Sequence, residues 1–138
     1  MRGFLSELVT RDEDVERDVI VDMEAGLEHL SRGTGRSLSC LVATIEPYYR
    51  SMETARRVRE LARELGVAKV VGVANKLRDD SDRDAIREFC ASHGLPLIGA
   101  IPYDASLPEA ERAGTTPLDF RPDSPAVRAI ARLSDALS

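Results

Sequence analysis

The chain of 138 residues contains no Gly-x-x-x-x-Gly-Lys-Ser/Thr run, so the loop that cradles phosphates in P-loop proteins is missing from it. Cysteine is scarce: Cys40 and Cys90 are the only two. Two isolated thiols cannot build a structural zinc site, and nothing about them suggests an oxidising compartment. Both are expected to be buried as small hydrophobes, Cys40 at the head of an apolar run and Cys90 on a helix. No apolar stretch approaches the roughly 20 residues of a membrane span. Acids interrupt Met1-Arg2-Gly3-Phe4-Leu5-Ser6-Glu7 before a signal-peptide core develops, and the expected location is the cytoplasm. A basic stripe is missing too. The formal charge is −5, and Arg2, Arg11 and Arg17, like Arg56, Arg57, Arg59 and Arg63, are interleaved with acids. That is the pattern of solvated helix faces, and it argues against a nucleic-acid partner. Repeats, low-complexity segments and linkers are absent, so residues 1–138 are expected to form one domain.

What is present is a 43% apolar, 31% charged composition, ordinary for a globular protein, in which two periods alternate. Phe4, Leu5, Leu8 and Val9 have helical spacing. Val19 to Asp22 reads as a strand, and Glu24 to Ser37, rich in Gly, Ser and Arg, as a loop with room for a short helix. Cys40 to Ile45 does not alternate and is expected to be a strand buried on both faces, closed by Pro47. A helix is expected from Ser51 to Gly66, and then a strand over Val67 to Ala74 leading into Asn75. Ser81 is positioned to cap a helix carrying Ile86, Phe89 and Cys90 that stops near Gly94. Leu97 to Ile101 is a fourth strand, closed by Pro102. A short helix over Leu107 to Ala113 and a last one over Pro125 to Leu137 follow, the latter with a stripe of Val127, Ile130, Leu133 and Leu137. Strand and helix alternating at this spacing predict an α/β fold, a partial parallel sheet of four strands layered with helices.

The chemistry gathers at the strand ends. Val19-Ile20-Val21 runs into Asp22, with Glu24, Gly26, Glu28 and His29 close behind. Clustered carboxylates are costly unless a cation neutralises them, and a glycine lets backbone N–H groups approach a phosphate. Each residue also has a plain structural reading: Asp22 as strand terminator or cap, His29 as a satisfied polar residue. Asn75-Lys76 ends the next-to-last strand, and an Asn side chain offers the donor and acceptor that a purine edge requires, or else simply forms a turn. Ile101-Pro102-Tyr103-Asp104 ends the last strand, where Tyr103 could wall a base pocket or fill a groove. Tyr48 and Tyr49, after Ile45-Glu46-Pro47, could form an interface, a lid or a bland loop. In a parallel sheet all these ends converge on one edge, where α/β proteins bind ligands.

Taken together, these segments resemble the CooC-type accessory ATPases within the MinD/ParA family of P-loop proteins. Asp22-Met23-Glu24-Ala25-Gly26-Leu27-Glu28-His29 is similar to that family's Asp-x-x-Ala-Gly-x-Glu-His segment. Ile45-Glu46-Pro47, Ala74-Asn75-Lys76 and Ile101-Pro102-Tyr103-Asp104, followed by Glu109-Ala110 and Gly114, fall in the family's order from Phe4 onward. The resemblance implies ATP-hydrolysing, nucleotide-dependent dimers that help insert nickel into carbon monoxide dehydrogenase. It makes Asp22 the Mg²⁺- or water-positioning acid and sets Gly26 toward the γ-phosphate, so that Asp22, Glu24 and Gly26 form the catalytic segment. Asn75 and Lys76, with Pro102 and Tyr103, would hold adenine; Glu28 and His29 would belong to the switch segment, and Tyr48 and Tyr49 to an interface.

Two family features, a Gly-rich Lys-Thr loop on a central strand and a Cys-x-Cys metal motif, have no counterpart here. The chain is therefore expected to be the C-terminal part of such a protein, Met1 being an internal methionine of a longer reading frame. Alone it is expected to be catalytically silent, with weak or no ATP/ADP and Mg²⁺ binding. Its expected partners are a second copy or a full-length homologue, and carbon monoxide dehydrogenase by resemblance. The alternative is a binding module that associates with a full-length homologue. A weaker alternative is a flavodoxin-like domain with Asp22 as phospho-acceptor or metal acid.

Overall fold

The computed structural model describes residues 19–23 and 38–137. Three parallel strands form the sheet in the order β1 (Leu41–Ile45), β2 (Val70–Leu77), β3 (Leu97–Pro102). Helix α1 (Tyr49–Leu65) carries the chain from β1 to β2, and α2 (Asp80–Ser92) from β2 to β3. Ala55 of α1 and Ile86 and Cys90 of α2 share one buried cluster with Ala43, Ile45, Ala74 and Leu77, so both crossovers cover the same face. After β3 come α3 (Ser106–Arg112), the single turn α4 (Pro117–Phe120) and α5 (Pro125–Leu137), which lies against β3. The α/β architecture matches the sequence expectation; among the described residues the strand count is three rather than four.

The missing strand is Val19–Asp22. These residues are irregular and exposed, Ile20 at 93%, and no described strand pairs with them. A strand needs a neighbour to satisfy its backbone groups, and β-branched residues alone do not supply one. The expected helix over Phe4–Val9 and loop over Glu24–Ser37 lie outside the described residues.

β1 also departs from expectation. Leu41, Ala43 and Ile45 are buried, whereas Val42 (41%) and Thr44 are exposed, so the strand is covered on one face. Among the described residues it is an edge strand, paired only with β2. Cys40 is accordingly half-buried, while Cys90 is buried and burial pushes its thiol pKa up.

Helix boundaries follow local chemistry. α1 begins at Tyr49 rather than Ser51, because the Ser51 hydroxyl accepts the Glu46 N–H (2.8 Å) and folds the β1–α1 turn back on itself. It ends as expected at Gly66, whose left-handed φ of 78° lets Val67 N–H reach Ala62 O and bring Val67 onto Leu41. α2 is capped by Asp79, not Ser81: Asp79 Oδ1 accepts the Asp82 N–H, and Asp82 Oδ2 accepts the Arg78 N–H. The strand expected over Val67–Ala74 instead runs over Val70–Leu77, which places Asn75 and Lys76 within β2. In α5 the buried residues are Ala126, Val127, Ala129 and Leu133; Ile130 and Leu137 are exposed. Small alanines let the helix sit close to β3, and Gly99 leaves room for the Leu133 side chain, which an added Cβ would overlap. Fully buried Ile45 and Ile86 anchor the opposite layer, each worth roughly 1.5–3 kcal/mol by area removed from water.

Candidate functional site

Asn75 is set by an irregularity in β2. Ala74 and Leu77 lie three residues apart, yet both pack into the same core, which strict alternation forbids. Lys76 resolves the conflict. Its φ of 56° is left-handed, and the β2–β3 register shifts between Ala74 and Leu77. The extra residue restores Leu77 to the core side and leaves Asn75 on the opposite side. Asn75 is half-buried, and its amide makes no hydrogen bond to another described residue. Lys76, the non-glycine residue with positive φ among the described ones, carries strain of about 1–2 kcal/mol. Its Nζ pairs with Glu46 Oε1 at 2.9 Å, linking the ends of β2 and β1.

Pro102 pairs in register with Leu77, and the Tyr103 N–H donates to Leu77 O at 2.8 Å, extending the pairing one residue past β3. Thus Pro102 and Tyr103 are fastened to the strand that carries Asn75, two residues further along. The Tyr103 ring is half-exposed (54%). Asp104 follows, and it is the most heavily bonded side chain of this edge. Its Oδ1 accepts from the Ser106 hydroxyl (2.6 Å) and the Ser106 N–H (3.0 Å), and its Oδ2 from the Ala126 N–H (3.1 Å). Ser106 and Ser124 beside it are both buried. The Ser106 hydroxyl above all, then the Ala126 and Ser106 N–H groups and the Ser124 hydroxyl, hold this carboxyl far below the usual carboxylate range against an opposing desolvation. Ser124 in turn caps α5, accepting the Val127 N–H, with Pro125 in the first helical position.

At the third strand end, Tyr48 and Tyr49 are exposed, Tyr49 at 73%. Tyr49, Arg50, Glu53, Thr54 and Arg57 line a shallow groove of about 250 Å³ on α1. A second one, of about 220 Å³, lies between β3 and α5 beside Gly99 and Leu133. Neither includes Asn75 or Tyr103.

The structure therefore brings Asn75, Lys76, Pro102 and Tyr103 together on one edge, with Glu46 tied in through Lys76. Asp22 is exposed on the irregular 19–23 segment, not on a strand of this sheet. Glu24, Gly26, Glu28 and His29 lie outside the described residues. A free, half-buried carboxamide fits the donor–acceptor edge of a nucleobase. Among the described residues, no group of three or more His, Cys, Asp or Glu is placed to hold a metal ion. The cations of the edge are scattered, with Lys76 already engaged by Glu46 and Arg50 and Arg78 on separate segments. Asp104 is the residue whose part is least legible beforehand. Asp-x-Ser and Ser-Pro-Ala are local turn and cap signals, but the bond joining Asp104 to Ala126 spans 22 residues and has no local mark.

Comparison with known proteins now bears on this edge. No family model matches the chain. It is 36% identical over 122 residues to the carbon monoxide dehydrogenase accessory protein CooC of Rhodospirillum rubrum, covering 88% of this chain and 44% of that protein. It is 32% identical over 134 residues to an uncharacterized ATP-binding protein of Methanocaldococcus jannaschii, covering 96% of this chain and 49% of the other. The fold is similar to the cell division protein MinD of Aquifex aeolicus, with a TM-score of 0.67 at 20% identity over 81% of this chain and 49% of that one. MinD of Pyrococcus horikoshii complexed with Mg-ADP gives 0.58 at 16% identity, over 77% and 44% respectively. The chain spans about half the length of the curated relatives that it matches. By this homology the chain belongs to the CooC-type accessory proteins, and its fold is similar to that of MinD.

Proposed function

We propose that the chain is the nucleobase-binding part of a CooC-like ATP-binding protein and is catalytically silent by itself. The observation that carries this is the free Asn75 carboxamide on β2, beside the Pro102–Tyr103 turn that Leu77 fastens to the same strand. Asn75 would read the base edge and Tyr103 would wall the base, with Lys76 holding the bulge that aims Asn75. The phosphates lack a grip: the chain has no Gly-rich Lys-Thr loop, and adenine contacts alone support an affinity no better than ~1 mM. In the whole protein, ATP and Mg²⁺ would engage the segment of Asp22, Glu24 and Gly26, with Glu28 and His29 as its switch. The work served would be ATP-dependent nickel insertion into carbon monoxide dehydrogenase. What supports the link to carbon monoxide dehydrogenase is the Rhodospirillum relative, an accessory protein of that enzyme, whereas nickel is what the family resemblance implies. The test is ATP hydrolysis by the purified 138-residue chain. No turnover is expected, whereas turnover abolished by Asp22→Asn would contradict silence.

A second reading has its own observation. Exposed Tyr48 and Tyr49 follow the end of β1, whose Val42 and Thr44 are exposed. That suits a binding module which associates with a full-length homologue or a second copy. Sedimentation of the chain mixed with a full-length family member tests it, and no complex at micromolar concentration rejects it.

A further inference from the structure

We infer that Asp104 is a positioning residue for base recognition: its carboxylate clamps the Pro102–Tyr103 turn to the start of α5 and so fixes where Tyr103 stands relative to Asn75. The inference rests on the base-binding reading above and adds a residue that does not touch the base. The turn is held from two sides. On its strand side, the Tyr103 N–H is bound to Leu77 O (2.8 Å), two residues beyond Asn75. On its far side, the next residue spends both carboxylate oxygens, one on Ser106 and the other on the Ala126 N–H. Without the second hold, a half-exposed tyrosine on a turn would have only one backbone bond fixing it.

The arrangement is more than a local cap. Oδ1 closes an Asx-type turn onto Ser106, which any Asp-x-Ser segment achieves. Oδ2 reaches α5, a helix that packs on β3 through Leu133 and Gly99. The Ala126 N–H is one of the unpaired donors of that helix's first turn, where a carboxylate is favoured by the dipole as well. Turn, sheet and helix are thereby locked as one body, with Ser106 and Ser124 buried around the junction. An amide in place of the carboxylate must turn an NH2 group toward one of these donors, and one side of the clamp opens.

The test is titration of the ¹⁵N-labelled full chain with adenosine 5′-monophosphate, following the amides of Asn75, Lys76, Leu77 and Tyr103. Asp104→Asn is expected to weaken binding about tenfold, the equivalent of one charge-assisted hydrogen bond. In a Tyr103→Ala background the same substitution is expected to change affinity less than about twofold, because it acts through Tyr103. A purely structural role would lower affinity equally in both backgrounds, and that result overturns the inference, as does unchanged affinity in folded Asp104→Asn. If Asp104→Asn does not fold, Ser106→Ala removes the hydroxyl donor to Asp104 Oδ1 and keeps the two backbone N–H bonds. It is expected to weaken binding about threefold with the same dependence on Tyr103, and no effect overturns the clamp. A wild-type chain whose amides do not move with the nucleotide refutes the base-binding reading itself, a separate outcome from equal binding by wild type and variant.

Discussion

Two residues of the strand ends carry measurable energies. Lys76 sits at φ 56° and spends its ammonium on Glu46, 2.9 Å away. A half-exposed pair of this kind contributes no more than about 0.5 kcal/mol, while the left-handed backbone costs about 1–2 kcal/mol that glycine avoids. Lys76→Gly should therefore be more stable than Lys76→Ala by about 1 kcal/mol in urea denaturation, although both lose the ion pair. Asp104 adds a pH dependence. Its folded carboxyl lies below its unfolded value, so its stabilisation is fully present above the ordinary carboxylate range and is lost as pH falls through and below it. Wild type should exceed Asp104→Asn by about 2 kcal/mol at neutral pH. That gap should shrink steadily as the urea midpoints of the two are compared at lower pH. The sequence makes Asn75, Pro102 and Tyr103 visible as polar or aromatic residues at the ends of apolar runs. It does not show Lys76's left-handed turn or the Asp104–Ala126 bond, because one depends on a register shift between strands and the other on helix docking.

At the scale of elements, helices were legible wherever a terminator or cap stands in the sequence, as at Gly66 and at Ser124-Pro125. The starts of α1 and α2 were displaced because Ser51 and Ser81 compete with other groups. Ser51 is engaged by the Glu46 N–H, and Asp79 takes the cap of α2. Strand identity was harder. Val19–Asp22 and Leu41–Ile45 share β-branched composition, yet one is unpaired among the described residues and the other is half-covered, since pairing and layering are decided by neighbours rather than by the run itself. The contact of α5 with β3 offers a direct check. Gly99→Ala would push a methyl against Leu133 and should cost about 1 kcal/mol in unfolding free energy. In a Leu133→Ala background the same change should be neutral or stabilising, because the cavity accepts the methyl. On the opposite face, Ile86→Ala should cost about 2–5 kcal/mol, the most damaging of these substitutions by circular dichroism melting.

At the scale of the whole molecule, the described sheet holds three strands and one chemically equipped edge, and the chain spans about half of its relatives' length. Four sequence motifs placed it in the family, and the homology and the fold agree with that placement. In the proposed function, this edge would offer a base its contacts without offering phosphates a cradle. Titrating the 138-residue chain in parallel with adenosine, AMP and ATP, by amide chemical shifts, tests it most directly. The account predicts that all three bind near millimolar within about threefold of one another, and that shifts centre on Asn75–Leu77 and Pro102–Tyr103. ATP binding a hundredfold or more tighter than adenosine would mean that the chain grips phosphate after all, and would contradict it.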